Sequence, residues 1–206
     1  MNRLRLALTK GRIEKQTIAL FEKIGYDCSQ IKEKGRRLIL EVEDFDVLLA
    51  KPDDVITYIE YGVCDLGIVG KDTIAEKDGK FYEVLDLGFG KCKFALANKK
   101  NVDFYEGSGV KTIATKYPNI ARSFFESKNM DVRIIKIEGS VEVAPILGLA
   151  DGIVDIVETG NTLVANGLEV KEDIMDISSR LIVNTASMKL KMDKINNFIS
   201  KLESVI

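Results

Sequence analysis

One pattern occurs twice in this chain, and it limits the fold more than any other feature. A helical segment over residues 52–62 leads into DLGIVG (65–70), a polar turn and a new helix beginning near Asp72 and Thr73. Much later, a helical segment over 140–150 leads into DGIVDIV (151–157), a polar turn at 159–162 and another helix. Two copies so far apart are too loosely repeated for a solenoid. They predict two α/β lobes built alike. Apolar strands alternating with helices imply mostly parallel sheets, covered on both faces.

Other periodicities fill in the lobes. LRLAL (4–8) alternates as a strand does and runs into the polar Thr9-Lys10-Gly11 turn. Ile13, Thr17, Leu20, Phe21 and Ile24 then fall on one helical face, with Gly25 as the stop. RRLILEV (36–42) and FDVLLAK (45–51) read as strands, and Pro52 suits the first position of a helix. CKFALA (92–97), VKTIAT (110–115) and VRIIKI (132–137) read as strands, with a helix from Tyr117 to Asn129. ISSRLIVN (177–184) is a last strand, followed by an amphipathic helix from Ser187 to Glu203 with Leu190, Ile195, Phe198, Ile199 and Leu202 on its packing face. The glycine-rich LGFGK (87–91) marks the lobe boundary. The expected first lobe is 1–90 plus 173–206 and the second is 91–172, with a cleft between them where ligands bind.

What the chain lacks narrows the chemistry. It contains no histidine, which removes Ser-His-Asp and Cys-His nucleophiles and every histidine-ligated metal site. Its three cysteines, Cys28, Cys64 and Cys92, are widely spaced and form no CxxC pair; they read as core residues of a reduced compartment. A formal charge of -2 argues against nucleic acid as a partner. No apolar run approaches a membrane span or a signal-peptide core, so a cytoplasmic protein is expected.

Two turns carry the anion-binding signal. In DGIVDIVETGNTL (151–163) a strand emerges into Glu158, Thr159, Gly160, Asn161 and Thr162 and at once begins a helix. Amides at a helix start lack intrahelical acceptors and favour a phosphate, Gly160 permits close approach, and the two threonines add hydroxyls. Asp151 and Asp155 are four apart, which in a strand gives them one face. On spacing alone the turn is read equally well as a capped helix in which Thr159 caps and Asp155 makes a local bond. The second turn is Thr9-Lys10-Gly11-Arg12, again strand to helix, where two cations oppose the helix dipole. Further basic candidates are Arg36, Arg37, Lys51, Lys71, Lys93 and Lys116, each of which taken alone is ordinarily a solvated charge. Asp72, in the GKDT turn, holds the place in the first lobe that the TGNT turn holds in the second.

Together these segments resemble ATP phosphoribosyltransferase. The resemblance runs nearly end to end: ALTKGRI, LLAKPDDVITYIEYGVCDLGIVGKD, LGFGKCKFALA, IATKYPNIAR, GSVEVAPILGLADGIVDIVETGNTLVANGL and ISSRLIVN. It implies a two-lobed fold of the type II periplasmic-binding-protein kind and a glycosyltransferase reaction. In that reaction N-1 of ATP's adenine attacks phosphoribosyl pyrophosphate, giving phosphoribosyl-ATP and pyrophosphate, the first step of histidine biosynthesis. It also implies residue roles. Glu158–Thr162 would hold the 5-phosphate, with Asp151 and Asp155 supporting the loop or the ribose. Arg12 and Arg36 would clamp the departing pyrophosphate. Lys10, Gly11, Lys51 and Asp72 would contact ATP, with Lys93 and Lys116 as lesser candidates. Mg²⁺ would accompany the pyrophosphate, held mainly by substrate phosphates. The chain stops soon after ISSRLIVN, with no regulatory domain. That resembles the short form, which works in a hetero-octamer with a regulatory subunit similar to histidyl-tRNA synthetase.

Two rival functions share the expected fold. A solute-binding protein is ordinarily exported and needs no matched anion sites. The effector domain of a transcription regulator would ordinarily follow a helix-turn-helix, whereas this chain opens on a strand.

Overall fold

The computed structural model describes residues 3–206. The first strand, β1 (Leu4–Thr9), buries every side chain except Arg5, as expected of a strand covered on both faces. Helix α1 (Arg12–Lys23) ends at Gly25, whose φ of +84° takes the left-handed conformation that stops a helix. A short α2 (Ser29–Lys32) precedes β2 (Ile39–Val42) and β3 (Phe45–Ala50), an antiparallel hairpin turned on Glu43 and Asp44. Pro52 opens α3 (Pro52–Glu60), and β4 (Leu66–Gly70), α4 (Lys71–Lys77) and β5 (Phe81–Asp86) follow. Then come β6 (Cys92–Lys99), β7 (Lys111–Thr115), α5 (Pro118–Ser127), β8 (Val132–Lys136) and α6 (Val143–Ile146). The chain ends with β9 (Gly152–Val157), α7 (Asn161–Ala165), β10 (Leu168–Ile177), β11 (Ser179–Asn184), α8 (Thr185–Leu190) and α9 (Met192–Glu203).

These elements divide into two units: one runs to Gly90 and resumes at Ser178, and the other is Lys91–Ile177. The return thus falls at Ser178, not near Asp173, because β10 stays paired with β6 as far as Ile177 opposite Cys92. Unit 1 has the sheet order β2-β3-β1-β4-β11-β5, and unit 2 has β10-β6-β9-β7-β8. Both sheets are mixed. Parallel pairs lie at β3-β1-β4 and β9-β7-β8, and antiparallel pairs complete each sheet. The expected parallel character therefore describes the heart of each sheet and not its flanks. The antiparallel partners β5 and β10 are polar, half-exposed strands with no clean apolar run to announce them.

One face of the unit 1 sheet packs under α1 and α9, where Phe21, Phe45 and Phe198 meet with centroids 4.6–5.7 Å apart. Its other face packs on α3 through Val55, Ile56 and Ile59. Two sequence expectations are corrected here. The helix expected over 140–150 is a single turn, α6, because Gly148 at φ +73° breaks it. The helix expected from Ser187 to Glu203 breaks at Lys191 (φ -129°, ψ 27°), and the break turns Leu190 outward, 82% exposed.

The two repeated aspartates do the same work in both units. Asp65 donates its own N–H to Arg5 O at 2.9 Å and accepts Arg5 N–H on its carboxylate at 2.9 Å. Asp151 donates to Thr112 O at 2.8 Å and accepts Thr112 N–H at 2.7 Å. Each brackets the backbone of the neighbouring strand. A buried threonine closes the other end: Thr9 donates to Ile68 O at 2.9 Å, and Thr115 to Val154 O at 2.6 Å. Asp65 is buried and also accepts from Lys191 Nζ (2.8 and 2.9 Å) and Ser187 Oγ (2.7 Å).

Burial alone would raise the Asp65 carboxyl, but Lys191, the Arg5 amide and Ser187 together hold it below the usual carboxylate range. Its contribution to stability is therefore complete above about pH 4 and is lost as pH falls through its lowered folded value. Asp65→Ala, which strands Lys191, should lose about 3 kcal/mol in urea unfolding at pH 7. Asp151→Ala, at an exposed site, should lose clearly less.

Candidate active site

Parallel register decides which side chains meet. In unit 1, Thr9 lies opposite Ala50 and Leu8 opposite Ile68, so β1, β3 and β4 finish nearly level. The residues just past their carboxyl ends share one sheet edge: Lys10, Lys51, Lys71 and Asp72. Lys10 N–H donates to Ala50 O at 3.0 Å, keeping the first two backbones side by side. Gly11 then turns into α1 with φ +93°, a conformation that strains any side-chain-bearing residue. Asp72 occupies space that only a glycine at 70 leaves, since a Cβ there would stand 2.0 Å from its Oδ1. Lys71 is engaged with Glu83, an ion pair between α4 and β5.

Beside this edge lies a cavity of about 440 Å³, between the start of α1 and the loop before β2. Lys10, Lys15, Lys34, Arg36 and Arg37 line it, with Glu14 the single acid. Five cations around one space suit a polyanion. Arg36 is exposed there, and Arg12 begins α1 immediately after Gly11. The sequence did not single out Lys15, Lys34 or Glu14; they reach the cavity through the first turn of α1 and the Lys34-Gly35 loop, which no motif marks.

In unit 2, β7 and β9 also run parallel, with Thr115 beside Val154. Lys116 follows β7, and Glu158–Thr162 follow β9. A cavity of about 270 Å³ opens here, lined by Glu142, Asp155, Glu158, Thr159, Gly160 and Thr162 among others. Gly160 takes φ +76° and caps α7 from its backbone alone. Thr159 Oγ1 accepts Asn161 N–H at a long 3.4 Å while Gly160 holds the N-cap position, so the Thr159 cap of the plainer reading is weak; its local bond at Asp155 is the one from the Ile156 amide. Helix α7 spans five residues, so its dipole is small. The turn's amides and hydroxyls, and not a long helix, make the donor set. Lys93 lies opposite Val157, at the same end of the sheet, and pairs with Asp173 at 2.7 Å.

Asp151 and Asp155 part company. Asp151 sits at the opposite end of β9, holding β7, and does not line the cavity. Asp155 does. Burial pushes its carboxyl above the usual range and Glu142 adds repulsion, against a bond from the Ile156 amide and the positive charge of Lys116. Glu142 went unremarked in the sequence; it lies within the GSVEVAP run, but a lone acid in a turn carries no spacing signal. Lys116 is part of unit 2 and lies close enough to Asp155 for its positive charge to act on that carboxyl. Among the described residues, no three Asp, Glu or Cys side chains converge to hold a metal ion. No helix among them is long and apolar enough to cross a membrane.

Two mixed α/β units, joined twice and offering parallel strand ends to ligands, define the type II periplasmic-binding-protein class. The periplasmic aliphatic sulphonate binding protein SsuA from Escherichia coli shares that fold, with a TM-score of 0.61 at 12% identity over 100% of this chain and 72% of its own. The family is narrower. A family model described as ATP phosphoribosyltransferase matches residues 51–204. ATP phosphoribosyltransferases of Clostridium kluyveri and Clostridium acetobutylicum are 59% and 56% identical, each over 98% of this chain and over 93% and 95% of their own. The ATP phosphoribosyl transferase (HisG:HisZ) complex from Thermotoga maritima matches with a TM-score of 0.83 at 36% identity, over 98% of both chains. The chain belongs to the ATP phosphoribosyltransferase family.

The raised Asp155 carboxyl has a consequence for the free protein. A carboxyl whose folded pKa exceeds its unfolded one favours folding below the unfolded value, and that benefit is lost as pH rises through the folded one. Asp155→Asn should therefore raise stability at pH 7 by the order of 1 kcal/mol in chemical denaturation. The gain should vanish below about pH 4. A loss of stability at pH 7 would contradict the assigned burial of charge.

Proposed function

We propose that this chain is the catalytic subunit of a short-form ATP phosphoribosyltransferase, carrying out the first step of histidine biosynthesis. The observation that carries the reading is identity of 59% along nearly the whole length of an ATP phosphoribosyltransferase. The lone pair on adenine N-1 forms a bond to the anomeric carbon of phosphoribosyl pyrophosphate. The carbon–oxygen bond breaks, and its electron pair leaves with pyrophosphate.

A neutral ring nitrogen is a weak nucleophile and positive charge grows on the sugar, so the rate rests on alignment and on stabilising the leaving group. Neither task needs a histidine. The unit 1 edge is assigned to ATP and pyrophosphate. Arg12 and Arg36 hold the departing oxygens, with Lys10, Gly11, Lys51 and Asp72 orienting the nucleotide. The unit 2 cavity is assigned to the phosphoribosyl group. Its 5-phosphate takes the amides and hydroxyls of Glu158–Thr162, and the carboxylates of Asp155 and Glu142 accept from the ribose hydroxyls. Lys116 and Lys93 counter the anionic charge on that side. Asp151 supports the strand beneath. Magnesium, when bound, neutralises pyrophosphate.

The Thermotoga maritima relative was solved as a HisG:HisZ complex, and this supports a hetero-oligomer here too. The partner is a regulatory subunit resembling histidyl-tRNA synthetase, in a hetero-octamer. A biosynthetic enzyme using ATP would work in the cytoplasm.

The test is ultraviolet absorbance with ATP, phosphoribosyl pyrophosphate, Mg²⁺ and pyrophosphatase, with and without the regulatory subunit. Absorbance should rise only when both substrates are present, and faster with the partner; a folded chain giving no rise in either mixture would refute the function. Arg12→Ala should lower kcat by roughly 10²–10³-fold, the scale of removing one transition-state donor, with far smaller changes in both Michaelis constants. Equal changes in both would remove Arg12 from the leaving-group role.

A further inference from the structure

We infer that Glu14 is a positioning residue: its ion pair with Lys34 holds the loop bearing Arg36 against the start of the helix bearing Arg12. The inference rests on the reading of the unit 1 cavity as the pyrophosphate site. An acid is an unexpected choice for a wall that meets an anion, unless its charge is already neutralised. Glu14 meets that condition. It is 6% exposed, accepts Gly11 N–H at 3.2 Å and pairs with Lys34.

The loop it holds is closed on itself. Arg37 N–H donates to Lys34 O at 3.0 Å, and the Arg37 guanidinium donates to Glu33 O at 3.3 Å and Lys34 O at 3.4 Å. Fixing Lys34 therefore fixes the whole turn, Arg36 included. The need for a tether follows from charge. Lys10, Lys15, Arg36 and Arg37 share one cavity, and before an anion arrives their repulsion pushes the loop away from α1. A buried carboxylate between the two elements opposes that drift. Its position in the first turn of α1 also suits the helix dipole that Lys10 and Arg12 oppose. Cations already in place when charge develops on the leaving group need less reorganisation, which is where electrostatic catalysis gains its rate.

The test uses the full chain with its regulatory subunit. Glu14→Gln keeps an acceptor for the Gly11 amide and removes the charge; Lys34→Met keeps the stem and removes the ammonium. Each should lower kcat by about tenfold and weaken product inhibition by pyrophosphate by a similar factor. The KM for phosphoribosyl pyrophosphate should stay within about twofold, all measured well below each variant's thermal midpoint. The double variant should be no worse than either single one, as for two halves of one contact.

Arg36→Ala, run alongside, separates the inference from the reading beneath it. If Arg36→Ala changes neither kcat nor pyrophosphate inhibition, the cavity is not the pyrophosphate site. If Arg36→Ala is impaired while Glu14→Gln and Lys34→Met turn over normally, the positioning role is overturned. Single effects that multiply in the double variant overturn it as well. So does a loss shared equally by kcat and both Michaelis constants with a lowered thermal midpoint, which marks a merely structural residue.

Discussion

The strand ends that face ligands in each unit depend on an aspartate gripping the backbone of the strand beside it. Parallel strands have no hairpin to set their register. In each unit an aspartate just before a Gly-Ile-Val strand exchanges a pair of hydrogen bonds with one residue of its neighbour, Asp65 with Arg5 and Asp151 with Thr112. With the start of each pair fixed, the far ends finish level. Lys10, Lys51 and Asp72 then come to one edge in unit 1, and Lys116 and the 158–162 turn to one edge in unit 2. A one-residue slip would turn each strand's side chains to the wrong face and scatter the edge.

The same grip explains how far the sequence was legible. The repeated Asp…Gly-Ile-Val unit, the Pro52 helix start and the continuous apolar strands are local signals, and the elements follow them. Period two in a strand puts residues 151 and 155 on one face but says nothing of the roughly 13 Å between them, so spacing leaves their separate roles open, with Asp151 on the β7 backbone and Asp155 at the cavity. Strands β5 and β10 were silent because each pairs along one edge only and stays half polar. Glu14 and Glu142 were silent for another reason. Single acids acquire meaning from what lies across the fold, here Lys34 and Asp155.

The two cavities are chemically opposite. One is walled by five cations and one neutralised acid, the other by Glu142, Asp155, Glu158 and two threonines. The two linings suit different chemical groups. Carboxylates accept from hydroxyls, and guanidinium groups take phosphate oxygens. Charge is thus sorted between the two cavities, while the whole chain stays near balance at -2.

The interrupted course of unit 1 has a consequence for how the protein is made. Among the described residues strand β5 pairs with β11 and with no other strand, and β11 also covers the flank of β4. On a ribosome, residues 81–86 emerge long before residues 179–184, with the whole of unit 2 between them. Until then β4 is an open edge and β5 has no sheet to join, and unpaired edges of this kind invite pairing with other chains. Unit 2 is a single uninterrupted stretch, and its wait is shorter: β6 joins β9 once residues 152–157 have emerged. The unit that begins first is therefore completed last, and its vulnerable interval lasts as long as translation of the segment inserted into it.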